Sequence, residues 1–322
     1  SDPVVINKDQ SGRLELAEWM ARSDNPLTSR VIVNRVWHWL LGEGIVHSVD
    51  NFGHLGERPT HPDLLDWLAV ELEDSGWDLK HLLRTVVTSA TYRQSSAAAS
   101  ASWARDPENV LLARGARFRL SAEAVRDQAL AAAGLLVDRQ GGPSVKPYQP
   151  EGLWKDVATI DNYEQDHGAD LYRRSLYTFF KRTVAPPGMA VFDAAGRETC
   201  EVRATRTNTP LQALTLMNNI TFVEAARVLA AQAMQSERQL DDQLTFAFFR
   251  VLSRPPRPAE LAVLRRAWQR HLEHFSADAA AAQALIATGE FPPAADLVPA
   301  RHAALTAVVS TLLNLDEVVT RQ

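Results

Sequence analysis

Apolar residues recur at the spacing of an α-helix along most of the chain. Between residues 26 and 42, the side chains of Val33, Val36, Trp37 and Leu40 fall on one side of a helix. Similar patterns recur before and after this stretch and dominate the last third of the chain. They predict helices at 12–23, 26–42, 62–76, 78–94, 121–137 and in several runs from 210 to the end.

The helical pattern stops in the middle of the chain. Glycine and proline cluster in 141-GGPSVKPYQPEG-152, and the aromatic run 174–183 fits either a strand or a short buried helix. We therefore divide the chain into a helical part at 1–140, an irregular segment at 141–209 and a helical part at 210–322, which we expect to form one integrated unit. The predicted fold class is mainly α, a multi-helix orthogonal or bundle-like assembly with at most a small β element.

Composition excludes several classes of protein. The chain has 322 residues, a formal net charge of -5 and 46% hydrophobic residues, which is typical of a globular protein and does not favour nucleic-acid binding. No apolar run is long enough for a membrane span, and the charged start is not a signal peptide. The single cysteine, Cys200, excludes a CxxC zinc site. It is either a thiol activated by Arg203 or a buried small apolar residue.

Two groups of polar residues in the first part could bind a ligand. Arg30, Asn34 and His38 lie four residues apart on one helix, and such a row must bind something if the helix is buried. In the loop 49-VDNFGHLGERPTHPDLLDW-67, Asp50 and His61 could act as an acid–base pair. Alternatively, this loop only starts a helix, with Thr60 and Asp63 forming a capping box.

The central segment carries a local excess of positive charge. Between Arg173 and Arg206 there are seven cationic residues and only three acidic ones. The planar guanidinium suits carboxylate, sulfate or phosphate, so these residues could form an anion site. The alternative is a set of salt bridges to the acids of the helical parts.

Aromatic residues cluster in the same segment. Four of the five tyrosines lie between Tyr148 and Tyr177, with Trp154 among them. Flat rings with a polar end could stack on sugars, or they could form a small core under a loop.

In 206-RTNTPLQALTLMNN-219, Thr209 and Pro210 are typical of a helix start, while Arg206, Thr207 and Asn208 could direct polar groups into a pocket at that helix end.

Five motifs resemble a planctomycete-specific C-terminal domain of unknown function, the PSD type, found in large secreted proteins. They are RVIVNRVWHWLLGEGIV, DNFGHLGERPTHPDLLDWLA, GWDLKHLLRTVVTSATYRQSS, YRRSLYTFFKRT and RTNTPLQALTLMNN, in that order. The resemblance implies an extracytoplasmic location, periplasmic or secreted, and a cytochrome-c-like module in the same or a partner chain. Haem would belong to that module, and we expect no cofactor and no metal in this chain. The family pattern varies where His54 stands, which argues against a chemical role for that residue.

Our leading hypothesis is an accessory module that binds an anionic ligand such as an acidic or sulfated polysaccharide. The alternatives are an enzyme, either a sugar-directed oxidoreductase that passes electrons to haem or an Asp/His acid–base hydrolase, and a scaffold that docks a partner domain. Asp50 and His61 are the candidate catalytic residues. The candidate ligand-binding residues are Arg30, Asn34, Tyr148, Trp154, Tyr172, Arg173, Arg174, Tyr177, Lys181, Arg182, Arg203, Arg206 and Asn208.

Overall fold

A computed structural model describes residues 6, 8–9, 11–150, 152–154, 163–181, 184–196, 202–203 and 205–321. The chain divides into two compact units, and the boundary lies between Phe118 and Arg119. Residues 202–203 belong to the first unit with the N-terminal part, and the remaining described residues after Phe118 belong to the second. The predicted division at 140 and 209, and the prediction of one integrated unit, stay predictions.

In its described residues the first unit contains five helices around a small core. They are α1 (Arg13–Ala21), α2 (Thr28–Leu41), α3 (Pro62–Asp74), α4 (Leu79–Thr88) and α5 (Ser100–Arg105). The core lies between α2, α3 and α4 and is formed by residues such as Val33, Trp37, Leu68, Leu72 and Leu82. The expected apolar side of α1 is not covered within the described residues, because this helix has no buried residue.

Local signals explain where two of these helices begin. The Asp78 side chain accepts hydrogen bonds from the backbone N–H groups of Lys80 and His81, and so caps α4. Pro62 occupies the first turn of α3, as expected. The predicted capping box at Thr60 is wrong, because the N-cap is His61 and the Thr60 hydroxyl donates instead to the carbonyl of Ile45.

The second unit is built around two buried helices, α9 and α13. The helices whose bounds lie within the described residues are α6 (Ala122–Ala132), α7 (Pro187–Ala190), α8 (Pro210–Asn218), α9 (Ile220–Ser236), α10 (Leu240–Leu252), α11 (Pro258–Ala277), α12 (Ala279–Ile286), α13 (Pro299–Leu313) and α14 (Asp316–Val319). Helix α13 packs against α9, α11 and α12, and α9 also packs against α6 and α10. Both are rich in alanine and aliphatic residues on several sides, which is typical of helices inside a core.

Strand structure is sparse, so the mainly α prediction is confirmed. Within the described ranges, β1 (Phe118–Arg119) and β2 (Thr320–Arg321) form one two-stranded sheet. The run 174–183 has a 3-10 turn at Ser175–Tyr177 and isolated bridges at Thr178 and Lys181, so in its described part neither a strand nor a buried α-helix forms. None of the helices seen in the described residues combines the length and apolarity that a bilayer crossing requires.

Candidate functional site

Two residues of the polar row on α2, Arg30 and Asn34, bind other parts of the chain itself. Asn34 is 1% exposed, and its side-chain amide bonds both the N–H and the carbonyl of Val46, at 2.8 and 3.0 Å. Arg30 donates from Nε to the Asp66 carboxylate at 2.7 Å, and this hydrogen bond lowers the pKa of Asp66. Both residues therefore hold neighbouring segments in place, and their assignment to a ligand stays a prediction.

The loop with Asp50 and His61 is held by its own hydrogen bonds. The hydroxyl of Ser48 donates to the carbonyl of Asn51 and accepts from the N–H of Glu57. The ring of His61 lies with Nδ1 3.0 Å from the hydroxyl of Thr60, and Asp50 is exposed. Within the ranges that the structure describes, no three His, Cys, Asp or Glu residues are grouped closely enough to hold a metal ion. The catalytic role of Asp50 and His61 stays a prediction.

Two adjacent cations of the central segment, Arg173 and Arg174, differ in their exposure. Arg173 is 0% exposed, and its guanidinium donates to the carbonyls of Pro143 and Arg139, both at 2.9 Å, and of Gly141, while it lies 3.8 Å from the Tyr177 ring centroid. Arg174 is exposed and pairs with Asp138 at 2.9 Å. Arg173 therefore satisfies backbone carbonyls inside the protein, and its assignment to a ligand, with that of Arg174, stays a prediction.

The other cations of this segment differ in their surroundings. Lys181 lies 4.5 Å from the ring centroid of Trp154. Arg203 and Arg206 are exposed, as is Asn208. Arg182 and Cys200 lie outside the described residues, so their predicted roles are not addressed by the structure.

The aromatic residues of the central segment form internal contacts. Trp154 is 6% exposed and packs edge-on against Tyr163, with ring centroids 5.1 Å apart. Tyr172 is 7% exposed, and its hydroxyl donates to Glu224 at 2.9 Å. Trp154 and Tyr172 are therefore buried among other residues of the second unit, and Tyr172 is part of its main core. Their assignment to a ligand, with that of Tyr148 and Tyr177, stays a prediction.

Glu224 and Arg227 form a buried polar pair that sequence reasoning missed. Glu224 Oε1 accepts from the Phe291 N–H at 2.7 Å as well as from Tyr172, and Tyr148 lies at 3.3 Å. Burial, aided by the Glu224 charge, raises the pKa of Tyr148 to about 12. The signal was present in the sequence, since a Glu and an Arg three residues apart interrupt the apolar run TFVEAARVLAA.

The guanidinium of Arg227 holds the loop that follows α12. It donates from Nε to the carbonyl of Thr288 at 3.0 Å and from Nη2 to the carbonyl of Phe291 at 2.6 Å. Gly289 has φ +88°, and a Cβ there would lie 2.3 Å from Glu224 Cδ, so only glycine fits without displacement. Glu224 and Arg227 are 0% and 1% exposed, so this pair stabilises the loop and offers a ligand no access.

The motif RTNTPLQALTLMNN starts α8 as predicted. Thr209 and Gln212 form a capping box, with Pro210 in the first turn. The N–H and hydroxyl of Thr207 both donate to the carboxylate of Asp193, which also binds the buried Arg119. The polar groups of Thr207 therefore form hydrogen bonds within the second unit. The predicted pocket formed by Arg206, Thr207 and Asn208 stays a prediction.

An open groove of about 640 Å³ lies in the second unit. Its walls come from the second half of α6, the last turn of α10, and α14 with β2. The lining residues are Leu120, Gln128, Ala131, Ala132, Phe249, Arg250, Val251, Leu252, Ser253, Glu317, Val318, Thr320 and Arg321. Because they come from segments almost two hundred residues apart, spacing along the sequence could not have grouped them.

Arg250 is the basic residue of the groove whose position is fixed by the α6 helix. Its Nε and Nη2 donate to the carbonyl of Ala132 at 3.1 and 2.9 Å, and Nη2 also reaches the carbonyl of Ala131. These carbonyls lie in the last turn of α6, where that of Ala131 also accepts from the N–H of Gly134 at 3.0 Å, and an arginine at a helix C-terminus is favourable. Nη1 makes no hydrogen bond to any residue that the structure describes, and the side chain is exposed.

Among the described lining residues Glu317 carries the one carboxylate of the groove, and Arg254 pairs with it. Arg254 donates to Glu317 at 2.6 and 2.7 Å and to Glu260 at 2.8 and 2.9 Å. These hydrogen bonds lower the pKa of Glu317 and lower that of Glu260 to about 2. The cations Arg250 and Arg321 therefore face a groove in which the negative charge is already paired.

Comparison with known proteins gives a family but no characterised relative. No curated protein and no solved structure shows a significant match to the chain. The model of the family PSD1, described as a protein of unknown function (DUF1553), matches residues 12–268, which is most of the chain. Together with the mainly α fold, this match shows that the chain belongs to the PSD1 family of proteins of unknown function.

Proposed function

We propose that this chain is a ligand-binding module and that an anionic ligand occupies the groove between α6, α10 and α14. The resemblance of the five sequence motifs to the planctomycete-specific domain supports an extracytoplasmic location for this module, beside a cytochrome-c-like module. The haem of that cytochrome-c-like module would lie outside this chain. An acidic or sulfated polysaccharide is the candidate ligand that the sequence suggests.

The placement of Arg250 is the observation on which this proposal rests. Two of its nitrogens are held by the carbonyls that end α6, so the guanidinium has lost most of its rotational freedom before a ligand arrives. A donor that is fixed in advance binds a carboxylate or sulfate with less loss of side-chain entropy. Nη1 remains to donate to the ligand.

Size and charge of the groove agree with this use. A volume of about 640 Å³ lies within the usual range of roughly 300–1,000 Å³ for ligand sites. The ion pairs of Arg254 offset the charge of Glu317, so the carboxylate that lines the groove repels an anion less than an unpaired one would.

Docking of a partner domain is a second candidate, and a separate surface supports it. Leu211, Leu214 and Met217 follow one side of α8 and are 55%, 57% and 52% exposed. A contiguous apolar strip of this kind is typical of a protein-interaction surface. The proposed occupant is the cytochrome-c-like module of the same or a partner chain.

Titration calorimetry with oligogalacturonate, dextran sulfate and neutral dextran tests the ligand proposal. We expect the two anionic polymers to bind, neutral dextran not to bind, and added salt to weaken the binding. Arg250→Ala should weaken binding about tenfold, since a charge-assisted hydrogen bond contributes about 1.5–3 kcal/mol.

Arg265→Ala is the matched control. Arg265 is an exposed arginine of the second unit that pairs with Asp241 and does not line the groove. Its removal should leave the affinity unchanged. Absence of binding by both anionic polymers would exclude a polysaccharide as the ligand, and equal losses of affinity in the two variants would contradict the groove as the binding site.

A further inference from the structure

The groove is mainly aliphatic where it is not charged. Leu120, Val251, Leu252 and Val318 line it together with two alanines, Ala131 and Ala132. Phe249, 54% exposed, is the one aromatic residue among the described residues of its lining. Branched aliphatic walls pack against aliphatic side chains, whereas a stacking surface for sugar rings needs flat aromatic faces.

The tyrosines and tryptophan that could have supplied such faces are used elsewhere. Trp154 packs against Tyr163, Tyr172 donates to Glu224, and the ring of Tyr177 is covered by Arg173. None of these residues lines the groove. The lining therefore favours an aliphatic ligand over a pyranose chain.

The polar groups of the groove complement a backbone and a carboxylate. Gln128 donates from Nε2 to the carbonyl of Val318 at 3.2 Å, which leaves its side-chain carbonyl as an acceptor for a peptide N–H. Ser253 lies exposed at the end of α10. Nη1 of Arg250 is placed to bind an acidic group, and Glu317 is already paired with Arg254.

We infer that the ligand of this groove is a peptide segment in which a carboxylate lies next to aliphatic side chains. The inference rests on the proposed function, because it specifies the ligand of the same site. The carboxylate, from an acidic residue or from a chain end, binds Arg250. The aliphatic side chains pack against Leu252, Val318 and Ala131. Recognition of carboxylates by arginine, with an apolar groove for the neighbouring residues, is a recurrent mode of peptide binding.

A random twelve-residue phage library, depleted first on the Arg250→Ala protein, tests this inference. Selection on the unchanged protein should enrich peptides that combine an acidic group with leucine, isoleucine or valine. The best peptide is then labelled, and its affinity is measured by fluorescence polarisation. Replacing its carboxylate by an amide should weaken binding about tenfold.

Three protein variants locate the binding site. Ala131→Trp fills the groove from an exposed helix position and should reduce binding at least tenfold. This variant leaves Arg250 in place, so it tests the site independently of any disturbance that Arg250→Ala causes at the end of α6. Arg250→Ala should weaken binding about tenfold, and Arg265→Ala should leave it unchanged. Binding of the selected peptide that Ala131→Trp leaves unchanged would overturn the inference.

The same titrations with oligogalacturonate separate the two proposals. If oligogalacturonate binds in an Arg250-dependent way and selection enriches no acidic aliphatic peptide, the inference fails and the proposed function stands. If neither ligand depends on Arg250, both fail. If the enriched peptides lack an acidic group, the inference fails, and the polysaccharide titrations alone decide the proposed function.

Discussion

The central segment and the groove both contain arginines, but they use them in opposite ways. Arg173 in the central segment is fully buried, and its guanidinium donates to three backbone carbonyls. Arg250 in the groove is exposed and uses two nitrogens on the end of α6, so that a third remains for a ligand. The sequence suggests the central segment as the anion site, whereas the geometry favours the groove.

The difference shows what an excess of arginine in an irregular segment means. Backbone that forms neither helix nor sheet leaves buried carbonyls without partners, and each of these is costly. An arginine carries five donors in a fixed plane and can satisfy several carbonyls at once. The positive charge of such a segment therefore reflects, at least for Arg173, the need to hold the backbone rather than a ligand.

The largest expected effect comes from Arg227, the arginine under the 288–292 loop. Replacing it with methionine should lower the free energy of unfolding by about 3–5 kcal/mol, because a buried carboxylate loses its cation and buried carbonyls lose their donors. Urea unfolding followed by circular dichroism measures the change. Arg270→Met, at an exposed position of α11, should change the stability by no more than about 0.5 kcal/mol.

Equal stability of the Arg227→Met and Arg270→Met proteins would contradict the proposed structural role of buried arginines. It would mean that the buried guanidinium contributes no more to the fold than an exposed one does.

A smaller effect is expected at two adjacent arginines of the central segment. Arg173→Lys keeps the charge but cannot reach the carbonyls of Pro143, Arg139 and Gly141 together, so unfolding should become easier by about 2–3 kcal/mol. Arg174→Lys, in an exposed ion pair with Asp138, should cost less than about 0.5 kcal/mol. Thermal and urea unfolding of both variants provide the measurement, and a reversed order would contradict the structural role of Arg173.

The smallest effect is a pH dependence at the Arg254 ion pairs beside the groove. The pKa of Glu260 falls from 4.5 to about 2, and that of Glu317 is also lowered. Because both folded-state values lie below the unfolded ones, the stabilisation is present above about pH 4.5 and is lost as the pH falls towards 2. The side chains are about one-third exposed, so solvent limits the effect to roughly 0.5–1 kcal/mol.

Glu260→Gln tests this dependence. At pH 7 the variant should unfold more easily than the unchanged protein, and the difference should shrink between pH 4.5 and pH 2.5. Glu273→Gln, at an exposed position of α11, should show no such convergence. A constant difference over this range would show that Glu260 acts through packing and not through its charge.

Helix caps and the spacing of apolar residues allowed many of the helices to be predicted from the sequence. The capping box of Thr209 and Gln212 and the apolar period after it place α8 and α9 correctly, because both signals act over a few residues. The boundary between the units at Phe118 was not predicted, since no shift in composition marks it. The groove was also missed, because Leu120, Arg250 and Arg321 lie far apart along the chain.

The sequence by itself therefore determined a mainly α protein, the helix starts that carry their own caps, and membership of a family. Only the tertiary structure decided which cations are available. The hydrogen-bonding groups of Arg173 and Arg250 are identical, and what differs is how many carbonyls the folded chain brings to each. That number depends on packing between distant segments, and local sequence patterns do not contain it.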